Sequence, residues 1–418
     1  MNQHPGAPLV LHGPPDGYAP LALGRRVTMY VCGITPYDAA HVGHAFTYVA
    51  FDTLARFLRH RGHEVVYCQN VTDVDDDVLR RAARDGEDYL ALGRRETAAY
   101  LQDMDALNVA RPDFFPRATE EIPAMVELAG QLVAGGNAYV VDGTVFFDVT
   151  SYPGFGELSG LSPAEQRELL AERGGDPDDP RKRDPLDFVV WQRSQPGEPW
   201  WDSPWGRGRP GWHLECSAMA RRHLGVTIDL HGGGADLIYP HHESERAQSE
   251  SANRAPFARR WLHTGMVGYQ GEKMSKSLGN LVFPRDLFRD HEPAAVRLAL
   301  LAHHWRSAWE WDAAELKEAA ERLSAWRQAG GQPPAPHPGV GYAPPPGDPA
   351  AAGRAPARPS RDRVEVAWLP EAVDVALADD LDTPAALAAT DELAERGDGP
   401  GVAATAAVLG VVLAPVGG

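Results

Sequence analysis

Lysine is scarce. Of 40 basic side chains only Lys182, Lys273, Lys276 and Lys317 are lysines, and the rest are arginines. Basic residues as a group are outnumbered, 40 against 58 acidic ones, for a formal net charge of −18. That balance disfavours a broad nucleic-acid surface, although a local basic patch is compatible with it. Cysteine is scarcer still, with three in 418 residues; this excludes a disulfide framework and points to a reducing compartment. Long apolar runs are missing. The longest, residues 403–414, is interrupted by Gly410 and falls short of the roughly 20 residues a membrane helix needs. The opening MNQHPGAPLV lacks the basic start and apolar stretch of a secretory signal, so no leader is expected. What remains, 43% hydrophobic and 23% charged residues, is ordinary globular composition, in a chain long enough for two or three domains. The expectation is a cytoplasmic enzyme.

Periodicity predicts the frame. Val27–Val31 is a β-branched and aromatic run followed by the turn-like CGITPYD. From about Ala45 the apolar positions Ala50, Leu54, Phe57 and Leu58 fall on one helical face, and Gly62 ends the helix. EVVYC, residues 64–68, reads as the next strand. Strand, helix and strand in so short a span form a βαβ unit, hence a parallel sheet with a right-handed crossover. Residues 73–135 read as mostly helical. Residues 136–195 are broken, with short strands at Ala138–Val141 and Thr144–Val149 among Gly/Pro/Asp-rich loops. Strand patterns return at Val226–Leu230 and Trp261–His263, and residues 286–328 are helical again. The expected division is an α/β domain over 1–110 and 196–285, an insertion over 111–195, and a helical C-terminal domain over 286–329 and 362–418. A Pro-rich linker spans 330–361.

Three groups of residues carry chemistry. His41-Val42-Gly43-His44 stands between strand one and its helix, where backbone N–H groups and the helix dipole attract phosphate. Lys273-Met274-Ser275-Lys276-Ser277 holds two of the four lysines. Mobile ammonium groups there can follow the charge that develops on a reacting phosphate. Read singly, HVGH is a helix start and the lysine loop solvated surface; together, on one parallel-sheet frame, they point to a nucleotide triphosphate. The third group is scattered: Cys32, Cys216 in HLECSA, and His241 in HHESE. Taken alone these are core residues as readily as metal ligands. Cys68, ending a strand, reads as a small buried apolar residue. Asp73, Asp75, Asp76 and Asp77 read as a polar turn and helix start, with Asp73 or Asp75 a candidate to face a substrate amine. Arg181-Lys182-Arg183 reads as a solvated loop.

The ordered blocks MYVCGITPYDAAHVGHAFTY, QNVTDVDDD, GRPGWHLECSAMA, HGGGADLIYPHHE and KMSKSLGN resemble the cysteine-activating branch of the class I aminoacyl-tRNA synthetases, from about residue 27 to residue 330. The resemblance implies a Rossmann-type catalytic domain with an insertion and a C-terminal helical domain, forming cysteinyl-adenylate from cysteine and magnesium-ATP. It implies His41, His44, Lys273 and Lys276 as the catalytic set. It also implies one zinc ion per subunit on Cys32, Cys216 and His241, with Glu245, one helical turn after His241, as a fourth ligand. Three protein ligands leave a coordination site open to the substrate thiolate. That matters because shape alone rejects a near-isostere such as serine by only about 10²-fold. Cys32, Gly33, Ile34, Thr35, Thr47 and Asn70-Val71-Thr72 match the adenylate pocket. Trp212 matches the wall beside the amino acid, Gly234-Ala235-Asp236 the loop under ribose and adenine, and Val267 a backbone contact to adenine.

Within that branch, two families differ in the acceptor: tRNA, or the amine of glucosaminyl-inositol in mycothiol biosynthesis. CGITPYDA, PGEPWWDSPWGRGRPGWH, HTGMVG, ADDLDTPAALAA and Glu172-Arg-Gly-Gly-Asp-Pro177 resemble the cysteine ligases of mycothiol biosynthesis, whereas Glu245 in HHESE resembles the cysteinyl-tRNA synthetases. The acidic chain, lacking a basic C-terminal cluster for several phosphate contacts, and the short stretch 362–418 favour the ligase, with small-molecule partners (cysteine, ATP, glucosaminyl-inositol), no membrane, and a monomer as the family expectation.

Overall fold

The computed structural model describes residues 7–14, 17, 18, 20–274, 279–330 and 368–414. Lys276 and nearly all of the expected linker therefore lie outside the described residues, as does the side chain of Lys273.

Alternation along the first strand sets which layer covers each face of the sheet. β1 (Arg26–Ile34) is buried along nearly its whole length, as a strand covered on both faces must be. Its residues Val27, Met29 and Val31 point into one core, and Tyr30 and Cys32 into the other. α1 (Val42–His60) turns Phe46, Val49, Leu54 and Phe57 into the first core. Gly62, at φ +87°, supplies the left-handed turn that ends it. β2 (Glu64–Val71) then pairs parallel to β1, completing the predicted βαβ unit.

α2 (Asp76–Asp85) is N-capped by Asp75, whose carboxylate accepts from Asp77 N at 2.8 Å. α3 (Tyr89–Ala106) and α4 (Ile122–Ala134) follow, so residues 73–135 are mostly helical, with breaks at 73–75, 86–88 and 107–117. An antiparallel sheet comes next: β3 (Ala138–Val141), β4 (Thr144–Phe147), then α5 (Pro163–Glu172), β5 (Phe188–Arg193) and β6 (Gly208–Pro210), in the order β3-β4-β5-β6. Because β6 closes this sheet, the antiparallel unit extends past residue 195. The chain returns through α6 (Trp212–Leu224), β7 (Ile228–Gly234), α7 (Glu243–Asn253) and β8 (Ala258–Thr264). The order β2-β1-β7-β8 is parallel throughout. β9 (Val267–Tyr269) and β10 (Glu272–Lys273) lead to α8 (Pro284–Leu287) and α9 (Pro293–Leu301). The expected continuous helical region 286–328 is interrupted by β11 (Trp309–Glu310), since Trp309 pairs with Val267 on β9. α10 (Ala314–Gly330), α11 (Glu371–Ala378), α12 (Thr383–Glu395) and α13 (Gly399–Leu409) form the C-terminal helical layer.

One buried arginine joins this layer to the catalytic frame. Arg297 on α9 pairs with Asp52 of α1 at 2.5 Å, both side chains 1% exposed. Its other nitrogens donate to the carbonyls of Leu107 (2.8 Å) and Leu409 (2.7 Å). With these donors satisfied, a charge that would be costly alone is compensated in large part, although burial outweighs Asp52 and lowers the Arg297 pKa to about 10.

Candidate active site

The site lies at the carboxyl ends of β1, β7 and β8, where parallel α/β sheets bind ligands. At its upper end His41 is the N-cap of α1. His41 Nδ1 accepts from Gly43 N (3.0 Å), and His44 Nδ1 accepts from His41 N (3.2 Å). Both rings thereby take up orphan donors of the helix start, which holds each neutral ring in the tautomer carrying its proton on Nε2. Thr47 Oγ1 meets Thr264 Oγ1 at 2.8 Å, fastening α1 to β8. Gly33 has no alternative: a Cβ there would sit 1.7 Å from the Asn70 carbonyl oxygen. Its N–H donates to Asn70 Oδ1 at 2.8 Å, and Asn70 Nδ2 donates to Thr72 Oγ1 at 3.0 Å.

Below this lies a buried cluster. Donor atoms of Cys32, Cys216, His241 and Glu245 all fall within 4.8 Å of one another, and all four residues are buried. Cys32 Sγ is 3.4 Å from Glu245 Oε1 and 3.9 Å from Cys216 Sγ. His241 Nε2 is 3.0 Å from Glu245 Oε1, yet it makes no hydrogen bond. The two groups thus face a common point rather than each other. On the far side of the ring, His241 Nδ1 is 2.9 Å from His213 Nδ1. Burial opposes charge on His241, but Glu245 and Cys216 beside it raise its pKa to about 10. Burial likewise opposes charge on Glu245, which His231 and His241 nonetheless hold down to about 2. Cys216 is lowered to about 6 against its burial, because Cys32 hydrogen-bonds to it and His241 lies near. A Cys₂HisGlu set of borderline and soft donors, one nitrogen unpartnered, fits a divalent zinc ion.

A second set overlaps the first. Cys32 and Glu245 also converge with His231 and His242. His231 Nε2 is 3.0 Å from Glu245 Oε2, and both side chains are fully buried. His242 Nε2 is 3.3 Å from Cys32 Sγ, and its Nδ1 is 2.8 Å from His263 Nε2. Burial, then the neighbouring His231, keeps His263 neutral down to about 3, and burial first, then the same ring, keeps His242 neutral as well. These histidines escaped the sequence reading. No local signal marks them: only the register of the parallel sheet sets His231 beside Tyr30 and Trp261, and His263 beside Gly233.

Above the cluster opens a cavity of about 970 Å³. Its wall brings together Cys32, Gly33, Ile34, Thr35, His41, His44, Thr47, Trp212, Gly234, Asp236 and Val267 of the expected set. Asn70, Val71, Thr72 and Ala235 do not reach this wall: the first three are buried behind Gly33, at 1%, 0% and 3% exposure. Cys216, His241 and Glu245 lie beneath the wall, with Trp212 stacked on His241 at 4.0 Å. Glu245 is fully buried. Cys68 is fully buried, as expected. The Arg181-Lys182-Arg183 loop is not simply solvated. Arg181 pairs with Asp179 at 2.6 Å, Arg183 lies 4.0 Å over the Tyr139 ring, and Lys182 stands on the cavity wall.

Parallel sheet, histidine-capped helix and buried ligand cluster together define a class I synthetase catalytic domain. Residues 20–321 match the family described as tRNA synthetases class I (C) catalytic domain. The methionyl-tRNA synthetase of Mycobacterium tuberculosis in complex with methionyl-adenylate shares the fold, with a TM-score of 0.58 at 18% identity over 92% of this chain and 88% of that one. Sequence relatives are closer. The L-cysteine:1D-myo-inositol 2-amino-2-deoxy-alpha-D-glucopyranoside ligase of Thermomonospora curvata is 47% identical over 94% of this chain and 89% of its own. The protein of the same name from Thermobifida fusca is 48% identical over 93% and 89%. The chain belongs to this ligase family within the class I synthetases. Among the described residues no helix is long and apolar enough to cross a membrane.

Proposed function

We propose that this protein joins L-cysteine to the amine of glucosaminyl-inositol at the expense of ATP, through cysteinyl-adenylate, as the step of mycothiol biosynthesis its relatives are named for. The observation that carries the reading is one continuous cavity wall that runs from the histidine-capped start of α1 to Cys32 and Trp212 over the buried cluster. The cysteine carboxylate attacks the α-phosphate of magnesium-ATP, and the bond to pyrophosphate breaks. His41 and His44, with Nδ1 occupied by backbone donors, offer Nε2–H to the phosphates, and Lys273 and Lys276 follow the developing charge. The neutral acceptor amine then attacks the adenylate carbonyl, AMP leaves, and the nitrogen releases a proton as the amide forms. Gly33, Ile34, Thr35 and Thr47 shape the adenylate pocket, with Asn70, Val71 and Thr72 supporting Gly33 from behind. Gly234, Ala235 and Asp236 underlie the ribose, and Val267 the base.

Cys32, Cys216, His241 and Glu245 would hold zinc, which when bound supplies a soft Lewis acid able to distinguish a thiolate from a hydroxyl. Trp212, stacked on His241, closes the side of the amino-acid site. We assign the catalytic domain to 1–110 and 211–285, the insertion, carried on through β6, to 111–210, the helical domain to 286–329 and 362–418, and the linker to 330–361, in a cytoplasmic monomer.

The test is a split reaction with cysteine and ATP, one half receiving glucosaminyl-inositol and the other cysteine tRNA, with products weighed by mass spectrometry. Cysteinyl-glucosaminyl-inositol with AMP is expected. Charged tRNA without that amide would replace this reading with a cysteinyl-tRNA synthetase.

A further inference from the structure

The cavity does not end at the cysteine site. Its wall continues past Trp212 onto the antiparallel unit, where two segments without an assigned task meet. The loop after α5 carries Arg173, whose Nη1 donates to the Tyr239 carbonyl at 2.5 Å, two residues before His241. Gly175 packs on Leu170 so closely that a Cβ would stand 2.5 Å from Leu170 Cδ1. Beyond it Asp176, Asp179 and Lys182 line the wall. The second segment contributes Arg209 on β6 and Glu215 on α6. Arg209, 3% exposed, pairs with Asp76 and, through Nε at 3.7 Å, with Glu198. Glu215 is fully buried at the cavity's edge, and neither carboxylate oxygen has a hydrogen-bond partner. Asp75 and Arg209 lie within its electrostatic reach.

A buried carboxyl group with no partner is costly until a proton or a ligand's donor satisfies it. The surrounding wall mixes acids and bases, which suits the hydroxyls of a neutral polyol. A phosphodiester chain would instead run against Asp75, Asp76, Asp176 and Asp179. The cavity, about 970 Å³, is at the upper end of small-molecule sites, in keeping with two reactants side by side. We propose that this second lobe is the acceptor subsite, in which Glu215 with Asp75 receives the acceptor's amino group and takes the proton it sheds so that the neutral amine attacks, and Asp176, Asp179 and Lys182 bind its hydroxyls. This deepens the ligase reading and rests on it. The α-ammonium of cysteine is the other source of the same chemistry, and the assay separates the two.

Full-length wild type, Glu215→Gln, Asp176→Asn and Lys182→Ala are compared in two reactions, with metal content checked in each. Cysteine-dependent ATP–pyrophosphate exchange needs no acceptor, whereas amide formation yields the KM for glucosaminyl-inositol. Loss of a hydrogen bond to a charged group predicts an acceptor KM raised roughly 10–100-fold, with exchange within about twofold of wild type. If Glu215→Gln instead raises the cysteine KM in exchange and spares the acceptor KM, that carboxylate serves cysteine and its assignment falls. An unchanged acceptor KM in Asp176→Asn and Lys182→Ala overturns the subsite even if Glu215→Gln fails to fold. Absence of amide from the wild type removes the ligase reading itself, while amide formation with unaffected variants removes the subsite alone.

Discussion

Two ligand sets share Cys32 and Glu245 and divide the remaining histidines and Cys216 between them, so substitution can tell which one holds the ion. The geometry favours Cys216 and His241. His241 Nε2 has no hydrogen bond, whereas His231 Nε2 is engaged by Glu245 at 3.0 Å and His242 Nε2 by Cys32 Sγ at 3.3 Å. Zinc held by four protein ligands is worth roughly 10–16 kcal/mol, so one ligand accounts for about 2.5–4 kcal/mol. Cys216→Ser should therefore weaken zinc binding by roughly 10²–10³-fold. His231→Phe keeps the aromatic stack on Trp261, 4.4 Å between centroids, but removes the donor that orients Glu245. A support of that kind is worth about 10–100-fold in metal affinity. The measurement is competition against a chromophoric chelator, with circular dichroism to confirm that each variant folds. The reverse ranking, with Cys216→Ser near wild type and His231→Phe unable to bind, would refute the assignment and place the ion among Cys32, His231, His242 and Glu245.

Lys276→Ala should slow cysteine-dependent pyrophosphate exchange by about 10²–10³-fold while zinc content stays at the wild-type level; unchanged exchange would remove the lysine from the chemistry. Arg297→Met leaves Asp52 buried with only Arg56 and the Ala110 N–H as partners. It should destabilise the fold by about 3–5 kcal/mol in urea titration, and a loss below about 1 kcal/mol would show that the joint between α1 and the C-terminal helices carries little. Burial pushes the Asp52 pKa up, but Arg297 and Arg56 outweigh it and hold the carboxyl below its ordinary value. Because the folded-state value is depressed, its stabilisation is present above about pH 4 and is lost as pH falls through the folded value. The stability gap between wild type and Asp52→Asn should accordingly be widest near neutrality and narrow in acid. Gly33→Ala should abolish exchange, since the added Cβ meets the Asn70 carbonyl oxygen at 1.7 Å; retained activity would mean that β1 and β2 can part there without disturbing the site.

Local information was enough for much of this protein. The βαβ unit is legible because strand and helix periods and the Gly62 turn act over a few residues. HVGH falls at a helix start because its own imidazoles cap that helix. Cys32, Cys216, His241 and Glu245 could be named only through the ordered motifs, and spacing alone left them ambiguous with core residues. Long-range packing decided the rest. Cys32 and Cys216 are 184 residues apart and meet only because α6 covers the face of β1 that carries Tyr30 and Cys32. His231 and His263 join them through the parallel register of β1, β7 and β8, a relation no local pattern records. Residues 70–72, which share a motif with the pocket residues, stand behind Gly33 because β2 pairs alongside β1 and Asn70 spends its side chain on Gly33 N and Thr72. The wall of Asp176, Lys182, Arg209 and Glu215 arises where a loop anchored on Tyr239 meets the antiparallel sheet. Charge and hydroxyl chemistry can be read from a sequence, but whether a carboxylate is solvated or buried without a donor is set by which segments close over it.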